Sequence, residues 1–158
     1  MEVTPSQTVG PFFGFALPFE GDASGTPDGS AETIRIEGQV LDGDGPVSDA
    51  LVEIWEGTLF VRCRTDPEGA FHFTVMKPPA VGGAPHLNVA VFARGLLRQL
   101  QTRLYFPDEE DANARDELLG LVDPDRRQTL IAEDAGGALR FDIRLQGEQE
   151  TVFFRLPD

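Results

Sequence analysis

The sequence predicts a mainly β fold, an antiparallel β-sandwich with one short helix and an extended N-terminal arm. Three observations carry this expectation. Apolar and polar residues alternate over many short segments, glycine-, proline- and aspartate-rich turns separate those segments, and a helical spacing of apolar residues occurs once. A chain of 158 residues is long enough for one domain with a real core.

The elements follow in order. Residues 1–20 read as an arm that includes TPSQTVGPFF, residues 4–13, with Phe12, Phe13, Phe15 and Phe19 close together. Disordered leaders are poor in aromatics, so these side chains are expected to lie against something. Residues 21–31 hold Gly, Ser, Asp, Pro and Thr without periodicity and read as a flexible linker; residues 32–158 read as the sandwich domain. In TIRIEGQV, Ile34, Ile36 and Val40 share one face, opposite Arg35, Glu37 and Gln39. LDGDGPVSD supplies a turn and ALVEIWEG resumes the strand pattern, with Trp55 expected in the core. RTDPEGAFHFTV holds a D-P-E-G turn in which Pro67 presets the backbone. HLNVAVFARG and LLRQLQTRLYF form the next two strands, and DEEDANARDELLGLV the helix, with carboxylates at its start and leucines on its buried face. LRFDIRLQG alternates again, and ETVFF adds a final edge strand.

Charge and cysteine content narrow the function. The net charge of −14 gives no electrostatic grip on phosphates, which argues against nucleic acid and against an anionic membrane surface. MEVTPSQTVG has neither the basic start nor the apolar run of a signal peptide, and no apolar stretch approaches a membrane span. The single Cys63 rules out an internal disulfide and a cysteine metal cage, and the cytoplasm is the expected compartment. Cys63, between Arg62 and Arg64, is expected to pack as a small hydrophobe.

Residues able to carry chemistry are few. His72 in FHFTV should point away from Phe71 and Phe73, with no second ligand at metal spacing. His86 and Asn88 emerge from one face of a strand, but an amide is a poor partner for imidazole in a transition-metal site, so hydrogen bonding is the expected role. No G-x-S-x-G elbow and no phosphate-binding glycine loop occurs. From its residues alone the chain does not read as a complete enzyme.

Several motifs nevertheless stand in a specific order: TPSQTVGPFF, LVEIWEG, APHLNVAVFARGLLRQLQTRLYF, RRQTLIAE and RFDIRLQGEQETVFF. Together they resemble the intradiol ring-cleavage dioxygenases, and among them the alpha chains of the protocatechuate 3,4-dioxygenases. The resemblance implies a sandwich paired with a similar beta chain, within a large hetero-oligomer. It implies that the beta chain holds a ferric ion through two tyrosines and two histidines, and that protocatechuate and O2 react there to give 3-carboxy-cis,cis-muconate. His86 then matches the first metal histidine and Asn88 replaces the second, a vestigial metal position. Tyr105, the one tyrosine, does not match a ligand position. No catalytic residue, metal or cofactor is therefore expected in this chain itself.

The resemblance also implies that Thr8, Gly10, Pro11 and Arg94 line the partner's active-site cavity. Arg94 has a second reading, as a hairpin arginine paired with a nearby Asp or Glu. Phe12 and Phe13 are expected to plug the subunit interface without touching substrate. Where this family carries a longer loop between EIWEG and CRTD, only TLFVR stands here, so the short 55–65 loop is a departure. The rival readings are a lone intradiol enzyme, opposed by the ligand count, and a non-catalytic binding or scaffold module of the same fold.

Overall fold

The computed structural model describes residues 8, 10, 12–26 and 32–155. Strands β1 (Ile34–Asp42), β2 (Gly45–Pro46), β3 (Leu51–Glu56), β4 (Leu59–Arg64), β5 (Ala70–Val75), β6 (His86–Phe92) and β7 (Leu100–Tyr105) follow a short helix α1 (Phe13–Ala16). Helices α2 (Glu110–Asn113) and α3 (Glu117–Leu121) and a 3-10 turn (Pro124–Leu130) precede the two-residue strands β8 (Glu133–Asp134), β9 (Leu139–Arg140) and β10 (Ile143–Arg144).

Two sheets stack face to face. The second sheet runs β4-β3-β6-β7 and is antiparallel throughout. In the first sheet β1 pairs antiparallel with β2 and β5, but parallel with β9 and β10. The sandwich is thus mixed at this one place. Its core joins Ile36 and Val40 of β1 to Phe71 and Phe73 of β5, and these to Val52, Ile54, Leu87, Val89 and Val91 of the facing sheet. Period-two alternation supplies each of those side chains.

The expected long strand over LRFDIRLQG is broken in two. Phe141 N bonds Glu37 O at 2.9 Å, while the Asp142 carboxylate takes Gln39 N at 3.1 Å in place of a backbone carbonyl. Gly38 makes this approach feasible, since a Cβ there would stand 1.9 Å from Phe141 O. ETVFF is not a strand either. It runs beside β7 through Phe154 N to Gln101 O and Thr102 Oγ1 to Val152 O, both 2.7 Å.

Three further expectations are corrected. The single helix is two short helices and a 3-10 turn, because Asp116 caps a new start at Leu119 N (2.9 Å) and Pro124 opens the turn. Residues 21–26 of the expected linker are docked on the body. Asp22 O accepts from Arg62 N, Thr74 N donates to Ala23 O, and Gly25 N donates to Thr74 O. Residues 27–31 lie outside the described residues. Trp55 is half-buried on the outer face of the second sheet, because Val52 and Ile54 take the inward positions of β3.

The short loop closes as a tight hairpin. Trp55 pairs with Phe60 and Glu56 with Leu59, leaving Gly57 and Thr58 as the turn. Gly57, at φ 56°, supplies the positive φ that the first turn position of a type II′ hairpin requires. Among the described residues no helix is long and apolar enough to cross a membrane.

Candidate functional site: a polar cluster and an aromatic arm

His86 and Asn88 leave the same face of β6, and register places Trp55 and Arg103 beside Asn88 and Tyr105 beside His86. Asn88 Nδ2 donates to Glu56 Oε2 at 2.7 Å and to Trp55 O at 3.3 Å. His86 Nδ1 lies 2.9 Å from Ala84 O, an acceptor only, so this nitrogen carries the proton. Its Nε2 is 3.7 Å from the same Glu56 oxygen that Asn88 holds. The two sequence-predicted residues are therefore brought together, around a glutamate that the sequence reading did not single out.

Tyr105 is fully buried beside them, its ring 5.7 Å from that of His86. Its hydroxyl donates to Asp116 Oδ1 at 3.0 Å and lies 3.4 Å from Arg103 Nη1. Burial, reinforced by the Asp116 charge and opposed by Arg103, pushes the phenol up to about 12. Burial also acts to raise Asp116. The Leu119 and Ala84 amides and the tyrosine hydroxyl outweigh it and hold the carboxyl below its ordinary range.

This donor set does not fit ferric iron. Hard trivalent iron favours anionic oxygen, whereas the one phenol stays protonated as a donor to a carboxylate. The Asn88 amide is engaged with Glu56. Among the described residues no group of three or more His, Cys, Asp or Glu is arranged to hold a metal. Cys63 and His72 stand apart. Burial pushes the Cys63 thiol up, and His72 is exposed on the other sheet, opposite the inward Phe71 and Phe73.

The arm presents the reverse chemistry. Phe13 is buried in its own chain, which corrects the expectation that it plugs an interface, because the single turn of α1 turns it inward. Phe12, Phe15 and Phe19 remain 67%, 65% and 61% exposed. The Phe12 and Phe15 rings meet edge to face at 5.4 Å. Arg62 anchors the arm by donating to Leu17 O at 2.9 Å, pairs with Glu53 at 2.7 Å, and lies over the exposed Phe60 ring at 5.1 Å. Arg62 thus ties the arm to the hairpin that carries Phe60.

The predicted cavity-lining residues are placed unevenly. Thr8 is exposed, and Gly10 has φ 74° with open space around its Cα; Pro11 lies outside the described residues. Arg94, with its side chain 71% exposed, forms an ion pair with Asp49 through Nε. It stands two residues beyond the end of β6, whereas His86 begins that strand, so the two are separated by about 25 Å of extended chain. Arg94 and the His86–Asn88 pair are not one site. Glu56, Arg103 and Asp116 were missed from sequence. Only Asp116 had a local signal, as an aspartate before the ELL helix start.

No family model matches the chain. It is 39% identical to the protocatechuate 3,4-dioxygenase alpha chain of Pseudomonas putida over 191 aligned positions, covering 96% of this chain and 95% of the relative. It is 38% identical to the alpha chain of Burkholderia cepacia, covering 98% of each. The beta chain from Burkholderia cepacia is 30% identical, with 78% of this chain and 68% of that one covered. The first alignment is longer than the chain itself, so that relative carries residues this chain lacks. In structure, the dioxygenase domain of a dioxygenase–carbohydrate-binding fusion from Streptomyces sp. SirexAA-E superposes with TM-score 0.63 at 23% identity, covering 96% of this chain and all of that one. Catechol 1,2-dioxygenase from Pseudomonas arvilla C-1 gives 0.55 at 21% identity, with 80% and 58% covered. These superpositions show the intradiol dioxygenase fold. Matched along nearly its whole length and at this identity, the chain belongs to the family of protocatechuate 3,4-dioxygenase alpha chains.

Proposed function

We propose that the chain acts as the non-metallated subunit of a two-chain intradiol dioxygenase, completing the active-site cavity of an iron-bearing beta chain. The observation that carries this reading is the full-length match to alpha chains, joined to a donor set that does not fit iron. The partner's ferric centre supplies the chemistry that joins O2 to protocatechuate and opens the ring between the two hydroxyl-bearing carbons. This chain's residues bind and orient. Thr8 offers a hydroxyl, Gly10 a backbone that a ligand can approach closely, and Pro11 a fixed chain direction. Arg94 offers a cation to the substrate carboxylate, which offsets repulsion from a chain of net charge −14. The exposed phenylalanines of the arm seat against the beta chain, and the complex assembles further into a large hetero-oligomer in the cytoplasm.

One observation favours the scaffold alternative: Arg94 already holds Asp49. The test is steady-state turnover of the complex carrying Arg94→Ala and, separately, Thr8→Ala. Cavity lining predicts a raised KM for protocatechuate with iron content unchanged. Wild-type kinetics in both variants, or turnover by beta chain that this chain leaves unaltered, contradicts it.

A further inference from the structure

We infer that a cavity on the outer face of the first sheet is a binding site for a small polycarboxylate. The cavity, about 560 Å³, is lined by Arg35, Arg64, Arg140 and His72 together with Glu37 and Asp66. Its floor follows from register. Glu37 pairs with His72 on β5 and with Arg140 on β9, so three side chains form a row across three strands. Neighbouring strands lie about 4.8 Å apart, which puts the histidine and the arginine at opposite ends of a row of about 10 Å. Arg35 lies two residues from Glu37 on the same face, and Arg64 rises at the β4 rim.

Donors outnumber free acceptors there. Both carboxylates that line the cavity are already engaged, Glu37 by Arg35 Nε at 3.2 Å and Asp66 by the Glu68 and Ala70 amides at 3.0 and 2.8 Å, and Asp142, outside the lining, holds Arg140 at 3.0 and 3.1 Å. Each guanidinium has five N–H donors. Arg35 bonds Glu37 through Nε, leaving its terminal nitrogens open to a ligand. Arg64 also lines the cavity and has no acidic partner among the described residues; its guanidinium stands beside Gly14 of α1. In a chain of net charge −14, three arginines that line one cavity and keep unused donors fit an anion, and their spread over β1, β4 and β9 fits one with carboxylates several ångströms apart.

The choice of a polycarboxylate rests on the proposed function. Opening a carboxylated catechol between its hydroxyl carbons converts those carbons to two carboxylates, so the product carries three. The cavity lies over β1, β5 and β9 of the first sheet at the β4 edge of the second, and neither His86 nor Asn88 lines it.

Calorimetric titration of the full-length chain with propane-1,2,3-tricarboxylate tests the site without any beta chain. We expect saturable binding with a Kd on the order of 1 mM. Arg64→Gln should weaken it about five- to tenfold, the loss of a charge-assisted contact at a partly solvated position. Arg140→Gln should weaken it as well, and Arg115→Ala, at an exposed position outside the cavity, should leave it unchanged. Absent saturation, wild-type affinity in both glutamine variants, or loss with Arg115→Ala overturns the assignment. Inorganic phosphate competing at equal affinity overturns the polycarboxylate class. Because these titrations omit the beta chain, their failure leaves the two-chain reading intact, and failure of reconstituted turnover leaves this site intact.

Discussion

The Tyr105–Asp116 node and the phenylalanine arm dispose of their side chains in opposite ways. At the node, polar groups are buried and each meets a partner: Asp116 alone accepts from Tyr105, Ala84 and Leu119. On the arm, Phe12, Phe15 and Phe19 are apolar and left facing water. A buried polar group with all its bonds made stabilises its own fold, whereas an exposed aromatic cluster gains only when another surface covers it. The node therefore belongs to this chain's stability, and the arm, on the proposed function, to its assembly.

The largest expected effect breaks the node. Asp116→Ala leaves two amides and a phenol without their acceptor in a buried site, and should cost about 3–5 kcal/mol in urea denaturation. The pH dependence carries its own signature. The Asp116 pKa is depressed in the fold, so its contribution is complete above the unfolded carboxyl value near pH 4 and fades as pH falls through the folded value. Tyr105 runs the other way. Its folded pKa of about 12 exceeds the ordinary 10, so the folded state holds the proton longer and stability declines as pH rises from 10 to 12. The decline should reach about 2–3 kcal/mol and be absent in Tyr105→Phe, as read from alkaline unfolding curves.

The arm should respond in the opposite sense. Phe12→Asp with Phe15→Asp should change the stability of the isolated chain by less than about 0.5 kcal/mol, as exposed substitutions do. The same pair should weaken association with the beta chain by about tenfold or more, read by sedimentation or surface binding. A large loss of stability without loss of association would reverse the comparison. The smallest effect is expected at Arg94. Its ion pair with Asp49 is solvent-exposed, so Arg94→Ala should cost at most about 1 kcal/mol of stability in the same urea assay.

How far these regions were legible in the sequence follows from the range of the interactions that build them. The strands of both sheets could be read because alternation is local: Ile36 and Val40, or Phe71 and Phe73, declare a face without knowledge of a partner. The ordered motifs identified the family for the same reason. Interruptions were not legible, because they depend on distant groups. Asp142 replaces a carbonyl on Gln39, and Asp116 reaches Tyr105 and Ala84, contacts that no window of sequence contains. Glu56 was likewise invisible as the partner of Asn88 until β3 and β6 were paired. The arm was half legible. Four phenylalanines announced burial, but only the turn of α1 decides that Phe13 faces inward while Phe12 and Phe15 face out.

The division between the two regions is tested most directly by iron per polypeptide and ring-cleavage rate for this chain alone, the beta chain alone and the two together. The account predicts no stoichiometric iron and no turnover from this chain alone, with one iron per pair and full protocatechuate cleavage in the complex. Stoichiometric iron and ring cleavage in the isolated chain would contradict it, since Tyr105, His86 and Asn88 would then have to leave the hydrogen bonds that hold them.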